Sequence, residues 1–222
     1  MAIIQFPGTN CEYDTKYAFE RLGANVSIIW YQNTTIGCDI DLVVIPGGFS
    51  YGDYLRSGAL AKNSPIMFSV KNFADNGGKI LGICNGFQIL TESRLLPGAL
   101  KRNGNLYFIS KLNYIKIENT NNAFLSKMEK SSIVNLPIAH HDGNFYIDSH
   151  GLKELKQNDQ ILLTYCTKDG SRADVNGSIE SIAGICNKQR NIFGLMPHPE
   201  RAIEQLLGSC DGIKMLEGFF SK

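Results

Sequence analysis

The chain has 222 residues, 43% hydrophobic and 19% charged, a balance that supports a sizeable packed core and argues against disorder. Its 22 basic and 21 acidic side chains leave a net charge of +1, too weak a field to hold nucleic acid or an anionic membrane. No apolar run approaches membrane-spanning length, and Met1-Ala2-Ile3-Ile4-Gln5-Phe6-Pro7 lacks the basic region and cleavage site of a signal peptide, so a cytoplasmic location is expected.

Strand and helix signals alternate through the first two-thirds of the chain. Residues 2–6 predict a short strand, 11–22 a helix that stops at Gly23, 25–30 a strand, and 41–45 an apolar strand ending at Pro46-Gly47-Gly48. A helix is expected in the later part of 59–76, where Met67, Val70, Lys71 and Ala74 follow helical spacing and Gly77-Gly78 stops it. A strand follows at 79–83 and a helix at 85–93. Such alternation implies a parallel sheet covered by helices on both faces. Beyond it, 106–118, 131–137, 144–148, 160–166 and 178–187 look like strands with little helix between them, which favours mixed or antiparallel pairing. A last strand is predicted at 191–196, then short helices at 201–207 and 211–220. The expected architecture is a three-layer α/β open sheet, largely parallel and flavodoxin-like, with an added antiparallel strand region, in a single domain over 1–222.

Six cysteines stand at positions 11, 38, 84, 166, 186 and 210, with no C-x-x-C pair and no Cys/His cluster at zinc spacing. The expectation for five of them is a buried, reduced thiol. His140 and His141 share a polar turn with Asp142, with His140 either a loop residue or a lining residue of the pocket, and His150 precedes a glycine at an expected helix start; no metal site is expected among them. Four apolar runs end in unusual residues: Pro7-Gly8-Thr9-Asn10, Pro46-Gly47-Gly48-Phe49, Cys84-Asn85-Gly86 and Pro197-His198-Pro199-Glu200. If these strands are parallel, all four endings face one pocket, because ligands bind beyond the carboxyl ends of such strands.

Cys84 is the exception among the cysteines. An apolar strand runs into Gly82-Ile83-Cys84-Asn85-Gly86 and a helix follows, the G-x-C-x-G form of the nucleophile elbow. A tight strand-to-helix turn strains the central residue, and side chains two positions to either side would clash; glycine at both places removes the clash. The positive end of the helix favours a thiolate, and unpaired N–H groups of the first turn can bind an oxyanion. Near the other end of the chain, His198 and Glu200 are two residues apart in an extended segment set by Pro199, so imidazole and carboxylate lie side by side. His198 is the candidate base and Glu200 its orienter.

With Cys84, His198 and Glu200 in this order, the chain resembles the class I, or triad, glutamine amidotransferases. The runs 45–59, 84–90, 96–99 and 196–202, with the opening Pro7-Gly8-Thr9-Asn10-Cys11, are similar to one branch of that family, the small glutaminase subunits serving phosphoribosylformylglycinamidine synthase in purine biosynthesis. Two places depart from the branch pattern: His140-His141-Asp142-Gly143-Asn144 stands where His-Gly-Glu-Gly-Asn is expected, and Ser57 stands where cysteine is common.

The resemblance implies hydrolysis of glutamine through a Cys84 thioester. It also implies an oxyanion hole from Gly48 and the Asn85 N–H, and contacts to glutamine from Gly47 and Gln88. No cofactor is implied for this chain, which has no G-x-x-x-x-G-K-[ST] loop. ATP and magnesium are expected on a large formylglycinamide ribonucleotide amidotransferase subunit, which works with a small accessory subunit. The 49–58 loop, with Phe49, Tyr51, Tyr54 and Arg56, is the expected docking contact, with Asp53 as a further charged member. A stand-alone cysteine hydrolase or peptidase of the same fold, and a regulatory pseudo-enzyme, are the competing readings.

Overall fold

The computed structural model describes residues 1–220. The first part runs β1 (Ala2–Gln5), α1 (Glu12–Arg21), β2 (Ser27–Trp30), β3 (Leu42–Ile45), α2 (Ile66–Asp75), β4 (Lys79–Ile83) and α3 (Asn85–Glu92). The second runs β5 (Ala99–Lys101), β6 (Ile109–Ile117), β7 (Ile133–His140), β8 (Asn144–Tyr146), α4 (Ser149–Gln157), β9 (Ile161–Cys166), β10 (Ile182–Cys186), β11 (Ile192–Leu195) and α5 (Asp211–Glu217). Among the described residues no helix is long and apolar enough to cross a membrane.

One nine-stranded sheet has the order β2-β1-β3-β4-β11-β10-β9-β6-β7. Its first five strands are parallel, and β11 joins the two regimes, pairing parallel with β4 and antiparallel with β10. This is the expected α/β sheet with an antiparallel extension. The burial patterns explain the split. Every residue of β3 and β11 is buried, as a strand covered on both faces requires. In β7 burial alternates along the strand, so one face packs on the core and the other is open.

Four local expectations change. Helix α4 starts where His150-Gly151 marks a helix start but runs on through a stretch where little helix was foreseen; Asp148 caps it, its side chain accepting from the Gly151 N–H at 2.7 Å. Strand β5 was not foreseen, and it pairs with β8 in a separate two-stranded ribbon. The helix expected at 201–207 is instead two 3-10 turns, Pro199–Arg201 and Gln205–Leu207, because Glu204 bridges Ser209 and Gly208 reverses the chain at φ 96°. Finally, β6 begins at Ile109, so Leu106, Tyr107 and Phe108 lie outside the strand and are exposed.

The turn from β4 into α3 is built at contact distance. A Cβ on Gly82 would lie 2.8 Å from the Gly86 carbonyl carbon, and one on Gly86 would lie 1.9 Å from the Ile45 oxygen. Since Ile45 is backbone of a central, fully buried strand, it cannot step aside. Gly86→Ala is therefore expected to cost about 3 kcal/mol, the upper part of the usual range for overpacking. In a domain of this size that lowers Tm by roughly 6–12 °C. Scanning calorimetry checks it, and an unchanged melting temperature would show that the α3–β3 contact has slack.

Candidate active site

The ends of the parallel strands meet at a cleft of about 170 Å³. Asn10 and Cys11 follow β1, Gly48 and Phe49 follow β3, Cys84 follows β4, and His198 and Arg201 follow β11; Ala139 comes from the end of β7 and Phe108 from the loop before β6. All four unusual strand endings thus reach one place, and β7 adds a fifth wall. A larger hollow of about 690 Å³ opens at the amino ends of the strands, among Met1, Asn25, Asp41 and Lys79. Its lining includes no Cys or His, whereas the smaller cleft gathers Cys11, Cys84 and His198.

Cys84 has φ 51° and ψ −103°, a strained backbone for a residue with a side chain. Its thiol donates to the Ala139 oxygen across 3.6 Å. His198 Nδ1–H donates to Glu200 Oε1 at 2.6 Å, and both side chains are buried. His198 Nε2 is buried with no hydrogen-bond partner. Burial alone would lower the imidazole pKa, but the Glu200 carboxylate and then Cys84 outweigh it and hold His198 well above its ordinary value. Imidazole and carboxylate are thus paired as expected from the sequence, while the Cys84 thiol points to Ala139 and has to turn to reach Nε2, a looseness common in unliganded sites.

Gly48, at φ 142°, sits where a Cβ would lie 2.7 Å from the Asn10 nitrogen. Neither its N–H nor that of Asn85 has a partner among the described residues, so both are free to meet an anion. Gly47 lies one residue away from the cleft wall, against His198 and Cys11.

Gln88 is engaged at both ends. Its Oε1 accepts from Asn85 Nδ2 at 2.8 Å and its Nε2 donates to the Asp142 oxygen at 2.7 Å. Gln88 is not among the residues that line the cleft, although its amide keeps one N–H and one lone pair beyond these two bonds. Asn85 Oδ1 in turn accepts from the Ser50 N–H at 3.1 Å. The two positions that depart from the branch pattern touch each other, since Ser57 Oγ–H donates to Asp142 Oδ2 at 2.8 Å. Burial pushes the Asp53 carboxyl up to about 6 against the Ser57 hydroxyl, and Asp142 adds to the rise.

His140, which sequence left between loop and pocket, is a buried positioning element. Its Nδ1–H donates to Asn103 Oδ1 at 3.0 Å; Asn103 also accepts from the Gly143 N–H and donates to the Tyr107 and His140 oxygens. Burial, with His198 adding, pushes the His140 imidazole down to about 4. Asn103 was not legible from sequence: a lone asparagine in a polar turn carries no pattern.

The model for the CobB/CobQ-like glutamine amidotransferase domain matches residues 1–216. The chain belongs to this glutamine amidotransferase family. Among its relatives, the phosphoribosylformylglycinamidine synthase subunit PurQ of Sulfurimonas denitrificans is 64% identical, with 99% of this chain and 98% of that one aligned. The PurQ of Wolinella succinogenes is 58% identical over 98% of each chain. A solved chain of PurLQS from Thermotoga maritima superposes with TM-score 0.88 at 41% identity, covering 99% of this chain and 96% of that one.

In this amidotransferase two parts of the cleft mouth were not read from sequence. Phe108 lines the cleft together with Phe49, and Tyr107, next to it in the chain, is 75% exposed. Cys11, treated as a buried thiol like any other, lines the cleft as well. Cys166 and Cys186 are buried as expected, whereas Cys38 is exposed and Cys210 is intermediate. Of the expected docking loop, Tyr54 and Leu55 are 72% and 75% exposed. Tyr51 departs from the expectation: it turns inward, its hydroxyl 2.9 Å from Ser64 Oγ and its ring edge-on to Tyr31. Arg56 reaches back to Glu92 with two hydrogen bonds, at 2.6 and 2.7 Å.

Proposed function

We propose that this chain, acting as one domain in the cytoplasm, is the glutaminase subunit of a phosphoribosylformylglycinamidine synthase in purine biosynthesis. The observation that carries the chemistry is the convergence of an elbow cysteine, a buried His198–Glu200 pair and two unpartnered backbone N–H groups on one cleft. Cys84 Sγ attacks the side-chain amide carbon of glutamine while His198 Nε2 takes the thiol proton. Negative charge on the carbonyl oxygen meets the N–H groups of Gly48 and Asn85. The intermediate collapses as His198 returns its proton to the leaving nitrogen, which departs as ammonia. Water, deprotonated by His198, then cleaves the thioester to give glutamate and the free thiol.

Ammonia released into bulk water would be protonated and lost as a nucleophile, so the cleft needs a cover. Phe49 and Phe108 line the cleft and are exposed, and Tyr54, Leu55, Leu106 and Tyr107, near them in the chain, are exposed too. On this reading the large synthetase subunit docks there, works with a small accessory subunit, and carries the ATP and magnesium.

The test is intact-mass labelling with a glutamine-like chloroketone. One adduct is expected, at Cys84, and free glutamine protects against it. Labelling at Cys11, the second thiol of the cleft, or labelling that glutamine does not slow, would overturn the assignment.

A further inference from the structure

The Cys11 thiol has no part in the reaction above, yet it rests against the base. Cys11 Sγ, a ring nitrogen of His198 and a carboxylate oxygen of Glu200 lie within 4.8 Å of one another, and all three residues are buried. The thiol donates to Asn10 Oδ1 at 3.2 Å and accepts from Arg201 Nη2 at 3.1 Å, while the Cys11 N–H donates to the Gly47 oxygen at 3.3 Å. A Cβ on Gly47 would lie 2.7 Å from His198 Cε1, 3.0 Å from Cys11 Sγ and 3.5 Å from His198 Nδ1. Sulfur and ring thus meet beside Gly47, whose side of the ring carries Cε1 and Nδ1, and Glu200 Oε1 sits 2.6 Å from Nδ1. Glu200 Oε2 is buried with no hydrogen-bond partner.

We propose that Cys11, His198 and Glu200 form a zinc site whose occupancy switches the glutaminase off. Thiolate, imidazole and carboxylate together are a zinc donor set. Zinc bonds of about 2.0–2.3 Å place tetrahedral ligand atoms roughly 3.3–3.7 Å apart, a separation that small side-chain rotations reach from the present one. Arg201 must release the sulfur. Its side chain is 34% exposed and keeps its Nε bond to Asp14 Oδ2 at 2.9 Å, so the guanidinium edge can turn to water while the metal takes over the charge. Water fills the fourth position.

The switch follows from tautomer chemistry. On binding, the Cys11 thiol gives its proton to solvent, and the imidazole, metal-bound at Nδ1, keeps a single proton on Nε2. That nitrogen is the one the reaction needs empty to take the Cys84 proton. No electrons change hands, and chelation restores the base. The inhibitory half rests on the triad reading; the metal binding does not.

The test uses the full-length chain, with zinc followed by calorimetry and cobalt(II) as the spectroscopic probe. One zinc per chain is expected, with a thiolate-to-cobalt charge-transfer band that Cys11→Ser and Cys11→Ala both lose and Cys84→Ala keeps. In the reconstituted complex, zinc should suppress glutamate release, and Cys11→Ser should need at least ten-fold more zinc for the same fractional loss. A band surviving both Cys11 variants would place the metal elsewhere, for example on exposed Cys38, and overturn the site. Loss of the band in Cys84→Ala, no one-to-one binding, or zinc bound through Cys11 without loss of activity would overturn it too. Failure of the triad reading shows itself differently, as glutaminase activity retained by Cys84→Ala with the cobalt band unchanged.

Discussion

Cys84→Ala is expected to lower glutamine-dependent synthesis by the complex by roughly 10⁴- to 10⁶-fold, the scale of losing one member of a nucleophilic triad, and to leave synthesis from added ammonia intact. Two features of the structure separate these activities. On the proposed mechanism the thiol is the nucleophile, and the variant removes only one sulfur atom from a turn whose close contacts run through Gly82 and Gly86. Alanine at position 84 keeps a Cβ in the same strained backbone, so the elbow and the surface around it persist. On the proposed docking, the partner then still receives a cover for its ammonia entrance. The assay compares product formed from glutamine with product formed from ammonium salt at a pH where free ammonia is present. Loss of both activities would mean that Cys84 supports assembly rather than chemistry. Retention of both would mean that another group attacks the amide.

What the sequence disclosed and what it hid divide along a physical line. The elbow was legible because its chemistry is local: strand, glycine, cysteine, glycine and helix are consecutive, and each constrains the next. The His198–Glu200 pair was legible for the same reason, since alternation along an extended chain puts the two side chains together. The parallel sheet followed from alternating elements, and its closing strand β11 from a final apolar run.

Cys11 was hidden because its neighbours come from the ends of β1, β3 and β11, and only the sheet order brings them together. Asn103 was hidden because three of its four bonds reach His140 and Gly143, far along the chain. The aromatic rim at 106–108 was read as strand because apolar residues continue into β6, and continuity of hydrophobicity does not mark where pairing stops. Ser57 and Asp142 were noted as separate departures from the branch pattern. Their hydrogen bond joins them into one feature, linking the 49–58 loop to the turn after β7. Through Gln88 and Asn85 the same link reaches the first turn of α3, so these loops hold a common geometry around the nucleophile.

His198→Ala is expected to match Cys84→Ala in severity, and the double variant to be no worse than either alone, because the two residues act as a unit. Glu200→Gln is expected to leave more activity, a fall of roughly 10²- to 10⁴-fold, and the structure gives the reason. Glu200 Oε1 now accepts the Nδ1 proton at 2.6 Å, and Oε2 is buried without a partner. A glutamine amide can face its oxygen toward Nδ1, which keeps the tautomer but places the NH₂ where Oε2 lies. That leaves a buried donor unsatisfied, at a cost of about 1–3 kcal/mol. It can instead face its NH₂ toward Nδ1, which forces the ring proton onto Nε2 and removes the base. Either orientation harms the reaction without emptying the site, and in neither is the negative charge that stabilises the imidazolium retained. Steady-state glutamate release from the reconstituted complex measures all four variants. A double variant more than ten-fold below Cys84→Ala would show that His198 acts apart from the thiol. Wild-type activity in Glu200→Gln would show that the 2.6 Å bond fixes the fold of the 197–201 turn and not the tautomer of the base.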